Sequence, residues 1–396
     1  MIPPALLGAV ESSTPALPPP VEGAGEGYVT VGGQRIVNFS SCDYLGLARH
    51  PAVLAAAADA LTTWGLGSAA GRVLSGTTVI HQELEQRLAR FVGSEQAVLH
   101  NSCWSANAGV FTTLGELARR SDTGLSVFSD RLNHASLIDG IRTIRPQVSH
   151  LTTYEHHPSG IERLRAQLQE HATGAAPVIV TDGVFSMEGD QAPLRQLVGL
   201  AREFGALLVV DDSHGTGVLG EQGRGTPETQ GVLGEVDVIT STLGKALGGA
   251  GGGFVAATTA FATAVRTHSR PYTFSNNPPY PIVAATLAAL DTLESGPELL
   301  AGLRRRVAQL REGIKTLGLE ALPGEHPIVA LVLGGDERAV AVSEALRQHQ
   351  VYVNPLTHPI VPRGAARIRM QVCASHSPSD IDRLIHALAH AVSSPG

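Results

Sequence analysis

Four short segments of the chain carry side chains that can do chemistry together. In STLGKALGGAGGGF (241–254) a single lysine, Lys245, follows an apolar run and precedes two glycine clusters. A desolvated lysine amine is the nucleophile that Schiff-base chemistry requires, and small neighbours would let a flat aromatic aldehyde approach the backbone. An ordinary surface lysine and a phosphate loop are the other readings, but GxxxxGK[ST] occurs nowhere in the chain. In VVDDSHGTG (209–217) two acids end a hydrophobic run, where an unpaired carboxylate is costly and should face a cation. A protonated pyridine nitrogen is one such cation. A metal ion is another, with His214 as a further ligand, although Lys245 at the next strand end makes a poor neighbour for it. HNSCWSANAG (100–109) runs from a strand into residues that can open a helix and offer backbone N–H groups to a phosphate. Arg369 in RIRMQ is either a surface arginine or a bidentate grip on a carboxylate.

The elements that position these residues are legible from hydrophobic periodicity. AVLHNS (97–102), LSVFSD (125–130), VIVTD (178–182), LLVVDDSH (207–214) and VDVITST (236–242) read as short buried strands with polar ends. Amphipathic helices separate them, such as LRQLVGLAREFG (194–205), so the pattern predicts an α/β fold with a mostly parallel central sheet covered on both faces. Ligands of such sheets bind at the carboxyl ends of strands, where Asn101, Ser102, Asp182, Asp211, His214 and Thr242 fall. Two earlier helices are predicted: one opened by Pro51 with Leu54, Ala58 and Leu61 on one face, and one with Leu84, Leu88 and Phe91 in a stripe ending at Gly93. Residues 1–27, rich in proline and glycine, read as an arm with little structure of its own. The resulting division is an N-terminal arm (1–47), a large domain (48–290) and a smaller C-terminal α+β domain (291–396).

Composition narrows the class of partner. A net charge of −7 without a long basic run argues against nucleic acid. No stretch approaches the ~18 apolar residues of a membrane span, and three scattered cysteines, Cys42, Cys103 and Cys373, indicate neither a disulfide framework nor a zinc site. The expectation is a cytoplasmic enzyme.

Taken in order, NFSSCDYLGLARHP, SGTTVIHQELE, NHASLIDGIR, TDGVFSMEGD, VDDSHGTGVLGEQGRG, ITSTLGKALGGAGGG, SRPYTFSNNPP and ARIRMQ resemble the segments of the α-oxoamine synthases, a family of fold-type I pyridoxal 5'-phosphate (PLP) enzymes. TDGVFSM, GRG, TLGKALGGA and SRPYTFSN lean toward its 2-amino-3-ketobutyrate CoA ligase (glycine C-acetyltransferase) branch. The resemblance implies the aspartate aminotransferase-like fold and a homodimer with shared active sites. It also implies a C-acyltransferase that joins an amino acid, by default glycine, to an acyl-CoA or acyl-carrier thioester, by default acetyl-CoA. Lys245 would hold PLP, Asp211 would pair with the ring nitrogen, His134 would stack on the ring, and Ser186 and His214 would approach its phenolic oxygen. Phosphate would be held by backbone at Cys103 and Trp104, by Thr242, and across the dimer interface by Thr273 and Ser275. Arg369 would hold the substrate carboxylate. An aldolase, lyase or aminotransferase of the same fold type, and a catalytically silent partner subunit, are the alternatives. The retained Lys245 counts against the silent subunit.

Two residues depart from the family pattern. Cys42 stands where the family usually has asparagine near the substrate carboxylate, and a thiol lacks the amide's donors. Gly71, before Arg72, stands where glycine-using relatives often have a larger side chain, so the amino-acid pocket would admit a longer substrate. The arm also lacks the amphipathic N-terminal helix of the ketobutyrate ligases.

Overall fold

A computed structural model describes residues 19–171 and 174–393. The chain enters as an antiparallel ribbon of β1 (Gly23–Gly25), β2 (Tyr28–Val31) and β3 (Gln34–Asn38), and β3 goes on to pair in parallel with residues 351–352. The Tyr28 hydroxyl donates to Asp380 Oδ1 (2.6 Å), tying this ribbon to the last helix. The unstructured arm expected over 1–27 is therefore corrected for Gly23–Gly25, whose backbone groups pair with the next strand, while its first 18 residues lie outside the described ones.

Strands covered on both faces must be apolar at consecutive positions, and the central sheet follows that rule. It contains β4 (Gln96–His100), β5 (Gly124–Asp130), β6 (Val148–Tyr154), β7 (Ala175–Asp182), β8 (Leu207–Asp211), β9 (Val238–Thr242) and β10 (Gly253–Ala257). Their spatial order is β4-β10-β9-β8-β7-β5-β6. The β5–β6, β5–β7, β7–β8 and β8–β9 pairs are parallel, whereas β10 runs antiparallel to both its neighbours. Alternate residues feed two cores. Val178, Val180, Val209, Val238 and Val255 pack with Val110, Phe111 and Leu114 of the Cys103–Ser121 helix; Ile179, Leu208, Val210, Ile239 and Phe254 face the other way, toward Leu84, Leu88 and Leu197.

The mostly parallel sheet with helices on both sides agrees with the sequence reading, and β6 and β10 are additions to it. β6 is an edge strand with only Val148 and Tyr154 fully buried, and β10 is five residues hidden behind glycines. Beyond residue 295 the helices Pro297–Thr316, Asp336–Gln348 and Pro378–Ser393 accompany β11 (Ile328–Gly334), β12 (Val351–Tyr352), β13 (Pro355–Leu356) and β14 (Ala366–Gln371). β11, β14 and β13 form an antiparallel sheet, and β12 joins the entering ribbon. The helix Pro51–Thr63 forms as expected but buries Val53 and Ala60, leaving Leu54 and Leu61 about half exposed. Its leucine face is thus open.

A charged clamp secures the hairpin after β7. His156 donates from its two ring nitrogens toward Asp130 Oδ2 (3.2 Å) and Asp190 Oδ2 (2.8 Å) and stacks on Phe185 (4.0 Å). Burial alone would lower the imidazole pKa, but the two carboxylates outweigh it and raise it to about 9. A folded-state pKa above the unfolded value of ~6.5 stabilises the protein below pH ~6.5, and that stabilisation is lost as pH rises through about 9. Thermal melts of wild type and His156→Gln should therefore differ at about pH 6 and converge at about pH 10.

Candidate functional site

The β9–β10 hairpin delivers Lys245. β9 ends at Thr242, the Leu243 N–H donates to Gly252 O (3.0 Å), the Gly249 N–H donates to Lys245 O (2.9 Å), and β10 starts at Gly253. Gly248 (φ 104°) and Gly252 (φ 111°) adopt conformations that side chains resist. These glycines thus turn the chain back into the sheet, and none of them lines the cavity around Lys245. That cavity, of about 250 Å³, is lined by Ser102, Cys103, Trp104, His134, Ser136, Asp182, Ser186, Asp211, Ser213, His214, Thr242 and Lys245.

The two acids at the end of β8 part company. Asp211 turns to the cavity, where Oδ2 accepts from Asn107 Nδ2 (2.7 Å) and from the Cys103 thiol (3.5 Å), and Oδ1 accepts from the Ser213 N–H (3.0 Å). Asp212 turns away to the Thr216 hydroxyl (3.1 Å) and the Thr226 hydroxyl (2.5 Å), and burial raises its pKa to about 7. Beside Asp211 in register lies Asp182, whose carboxylate accepts from the His134 N–H (2.8 Å). Burial, then the charge of Asp211, pushes the Asp182 pKa well above the carboxylate range, so Asp182 holds its proton more readily than a free carboxylate would.

One wall of the cavity is the start of the Cys103–Ser121 helix. The Ser102 side chain and carbonyl take the N–H groups of Ser105 and Ala106 (both 3.0 Å). The N–H groups of Cys103 and Trp104 are left without partners inside the helix and present a site for an anion. Opposite, His134 caps the helix Ala135–Thr143 and meets Trp104 edge-on (5.9 Å); burial lowers its pKa.

His214 links Lys245 to a buried tyrosine. Its Nε2 lies 2.8 Å from Lys245 Nζ, and its Nδ1 lies 2.8 Å from the Tyr44 hydroxyl. His326 supports it from behind: the Ile328 N–H donates to His326 Nδ1 (3.0 Å), so the Nε2–H donates to His214 O (2.8 Å). Burial first, then the charge on Lys245, lowers the His214 pKa well below normal and keeps the ring neutral near pH 7. Arg369, on β14, donates from Nη1 to Ser186 O (2.6 Å) and from Nη2 to Gln371 Oε1 (3.4 Å). Gln371 in turn donates from Nε2 to Cys42 Sγ (2.8 Å), so Cys42, Gln371, Arg369 and Ser186 form one chain of contacts beside the cavity.

Gly71, Thr273 and Ser275 lie elsewhere. Gly71 bridges to Asn276, a side chain added at Gly71 would meet Thr273 O (3.4 Å) and Ser275 O (3.6 Å), and none of the three lines the cavity. Asn101 also points away from it, donating to Ser275 Oγ (3.1 Å). Asn107, Ser136, Ser213, Tyr44 and His326 are site neighbours that the sequence reading passed over. Asn107 carries a signal: a polar residue at the second turn of a helix that is otherwise buried on that face.

A protein-family model for the class I and II aminotransferases matches residues 34–388. The chain belongs to that family. It is similar to 2-amino-3-ketobutyrate coenzyme A ligase of Escherichia coli K12, at 42% identity over 90% of this chain and 87% of the relative. It is equally similar to 8-amino-7-oxononanoate synthase of Geobacter sulfurreducens, at 42% identity over 93% and 92%. Among solved structures, SPT (serine palmitoyltransferase) with a PLP internal aldimine superposes with a TM-score of 0.87 at 30% identity, covering 98% of this chain and 95% of that one. These relatives bear out the α-oxoamine synthase resemblance and the fold it implies.

Close packing at the cavity wall is testable by adding one methyl group. A Cβ on Gly253 would sit 2.4 Å from Cys103 N and 2.5 Å from Ser102 C, both backbone atoms. Gly253→Ala should cost about 1–3 kcal/mol in denaturant melts. Gly199, exposed on the helix Leu194–Phe204 with open space around it, serves as the control; Gly199→Ala should add about 0.5–1 kcal/mol.

Proposed function

We propose that this chain binds PLP as a Schiff base on Lys245 and condenses an amino acid with an acyl thioester, releasing a β-keto amino acid or its decarboxylated product and a free thiol. The observation that carries the reading is the convergence, around one cavity of about 250 Å³, of an amine, a carboxylate at the neighbouring strand end and a helix N-terminus. The residues present fit the cofactor. Lys245 Nζ would hold its aldehyde carbon, Asp211 would face the ring nitrogen, and the Cys103 and Trp104 N–H groups with Thr242 would receive its phosphate. When bound, PLP supplies an electron-accepting ring that stabilises negative charge at the α-carbon of the amino acid.

The remaining roles belong to the protein's own side chains. His134 would cover the ring face, and Ser186 and His214 would lie toward its oxygen edge. Lys245 would be the group that moves a proton at the substrate α-carbon, and neutral His214 at 2.8 Å orients its amine. Arg369 receives the substrate carboxylate, already aimed by the Ser186 carbonyl. Glycine and acetyl-CoA are the default pair. Cys42, hydrogen-bonded to Gln371, is the residue through which this choice would depart from the family pattern.

The reading includes a homodimer. It is supported by the exposed Leu54, Leu61, Leu66, Leu74, Val79 and Phe274, and by the position of Thr273, Ser275 and Gly71 outside the chain's own cavity. Unpaired Cys42, Cys103 and Cys373 support a reducing, cytoplasmic setting, and among the described residues no helix is long and apolar enough to cross a membrane. The domain division at 48–290 and 291–396 is supported by the separate sheets, with the ribbon β1–β3 joining the C-terminal part.

Three measurements test these assignments. Wild type incubated with PLP should gain a visible absorbance band that Lys245→Ala cannot form; the same band in the variant would overturn the anchor. Mass spectrometry of products from a matrix of amino acids and acyl thioesters should show C–C bond formation with equimolar thiol, whereas transamination without thiol release would sink the acyltransferase reading. Cys42→Asn should raise kcat/KM with glycine and acetyl-CoA, and unchanged kinetics on every pair would remove Cys42 from the specificity argument.

A further inference from the structure

One amide touches two groups that would meet the cofactor from different directions. Asn107, fully buried on the Cys103–Ser121 helix, places one end of its side chain 2.7 Å from Asp211 Oδ2 and 2.8 Å from Ser136 Oγ, and the other end 2.6 Å from the Thr240 hydroxyl. A carboxylate oxygen cannot be met at 2.7 Å by the amide oxygen, so Nδ2 faces Asp211 and the Thr240 hydroxyl donates to Oδ1. Both Nδ2 hydrogens are then committed, one to Asp211 and one to Ser136. The Ser136 oxygen is an acceptor toward Asn107, and its own hydrogen is directed to His134 Nδ1 (2.8 Å). The Ser136 backbone N–H donates to the same Nδ1 (3.3 Å), and since a backbone N–H can only donate, Nδ1 carries no proton. A neutral His134 therefore holds its one proton on Nε2.

We propose that Asn107 is a positioning residue that, through one side chain, holds Asp211 in place as an acceptor and aims the Ser136 hydroxyl at His134 Nδ1. The inference rests on the PLP reading for its purpose. Asp211 has one oxygen held by Asn107 and the other by the Ser213 N–H, so the carboxylate is fixed as an acceptor for the ring nitrogen. His134 is fixed as a donor at the nitrogen that Ser136 does not hold. The ring-edge and ring-face partners are thereby set by the same amide, and the order Thr240→Asn107→Ser136→His134 gives every hydrogen in the chain one direction.

The test compares wild type, Asn107→Ala and Ser136→Ala as full-length protein labelled with nitrogen-15 at histidine, with and without PLP. Long-range proton–nitrogen correlation reads the His134 tautomer, assigned by the signal absent from His134→Gln. Wild type should show one unprotonated Nδ1 and one protonated Nε2; the Ser136 N–H keeps that tautomer in both variants, and the Nδ1 signal should move as its hydroxyl hydrogen bond is loosened in Asn107→Ala and lost in Ser136→Ala. The visible band of bound PLP supplies a second readout. Its pH midpoint should shift in Asn107→Ala, which removes a donor from Asp211, and stay put in Ser136→Ala, which touches only the histidine branch. Loss of a hydrogen bond to a charged group corresponds to a fall in kcat/KM of about 10- to 100-fold for Asn107→Ala. His134 signals and a band midpoint identical to wild type in a folded Asn107→Ala would overturn the proposal. If Asn107→Ala does not fold, Ser136→Ala decides it: unchanged His134 signals overturn it, and a moved Nδ1 signal supports it. A wild type that gains no visible band with PLP would overturn the cofactor reading instead, leaving the measurement without PLP to judge the hydrogen-bond order.

Discussion

A carboxylate withdrawn from water must be met by hydrogen bonds and by positive charge, and the site is organised around meeting that demand at Asp211. Its two oxygens receive a backbone N–H from the residues that follow β8, an amide from the neighbouring helix and a weak thiol donor at that helix's first residue. One helix and the loop that continues the strand are thereby tied to one strand end. Asp212, one residue on, satisfies the same demand with two threonine hydroxyls on the far side, which fixes which acid of the pair faces the cavity.

The sheet makes this economy of position possible. Parallel strands bring β7, β8 and β9 to a common edge, where Asp182, Asp211 and Thr242 arrive side by side. The antiparallel β10 then closes the same edge from the opposite direction, and the hairpin before it carries the lysine. A fully parallel sheet would have needed a crossover helix after β9, and Lys245 would have stood at the start of that helix instead of on a tight loop against His214.

Much of this was legible in the sequence. Apolar runs with polar ends gave five of the seven central strands, because strands buried on both faces leave a continuous signature. β6 escaped because an edge strand alternates weakly, and β10 because its five residues sit behind a glycine run that reads as loop. Lys245, Asp211, His214, His134, Ser186, Cys103, Trp104 and Thr242 do line one cavity. Tyr44 and His326 were not legible as neighbours of His214, since nothing local records a contact across 170 or 112 residues. The outward leucine face of the helix Pro51–Thr63 shows the converse limit: periodicity marks an apolar face but not what covers it.

Lys245 and Arg369 are carried by different sheets, the first by the β9–β10 hairpin of the central sheet and the second by β14 of the antiparallel one. A small molecule gripped at both ends would span the seam between the two sheets, and the seam sets the span. Contacts that cross it, among them Arg369 to Ser186, Arg367 to Glu188 and His326 to His214, act as a gauge block between the sheets. A misplacement of reacting groups by about 1 Å can cost roughly 100-fold in rate. Substitutions that leave every cavity-lining residue intact but thin this seam would accordingly change the distance between Lys245 and Arg369.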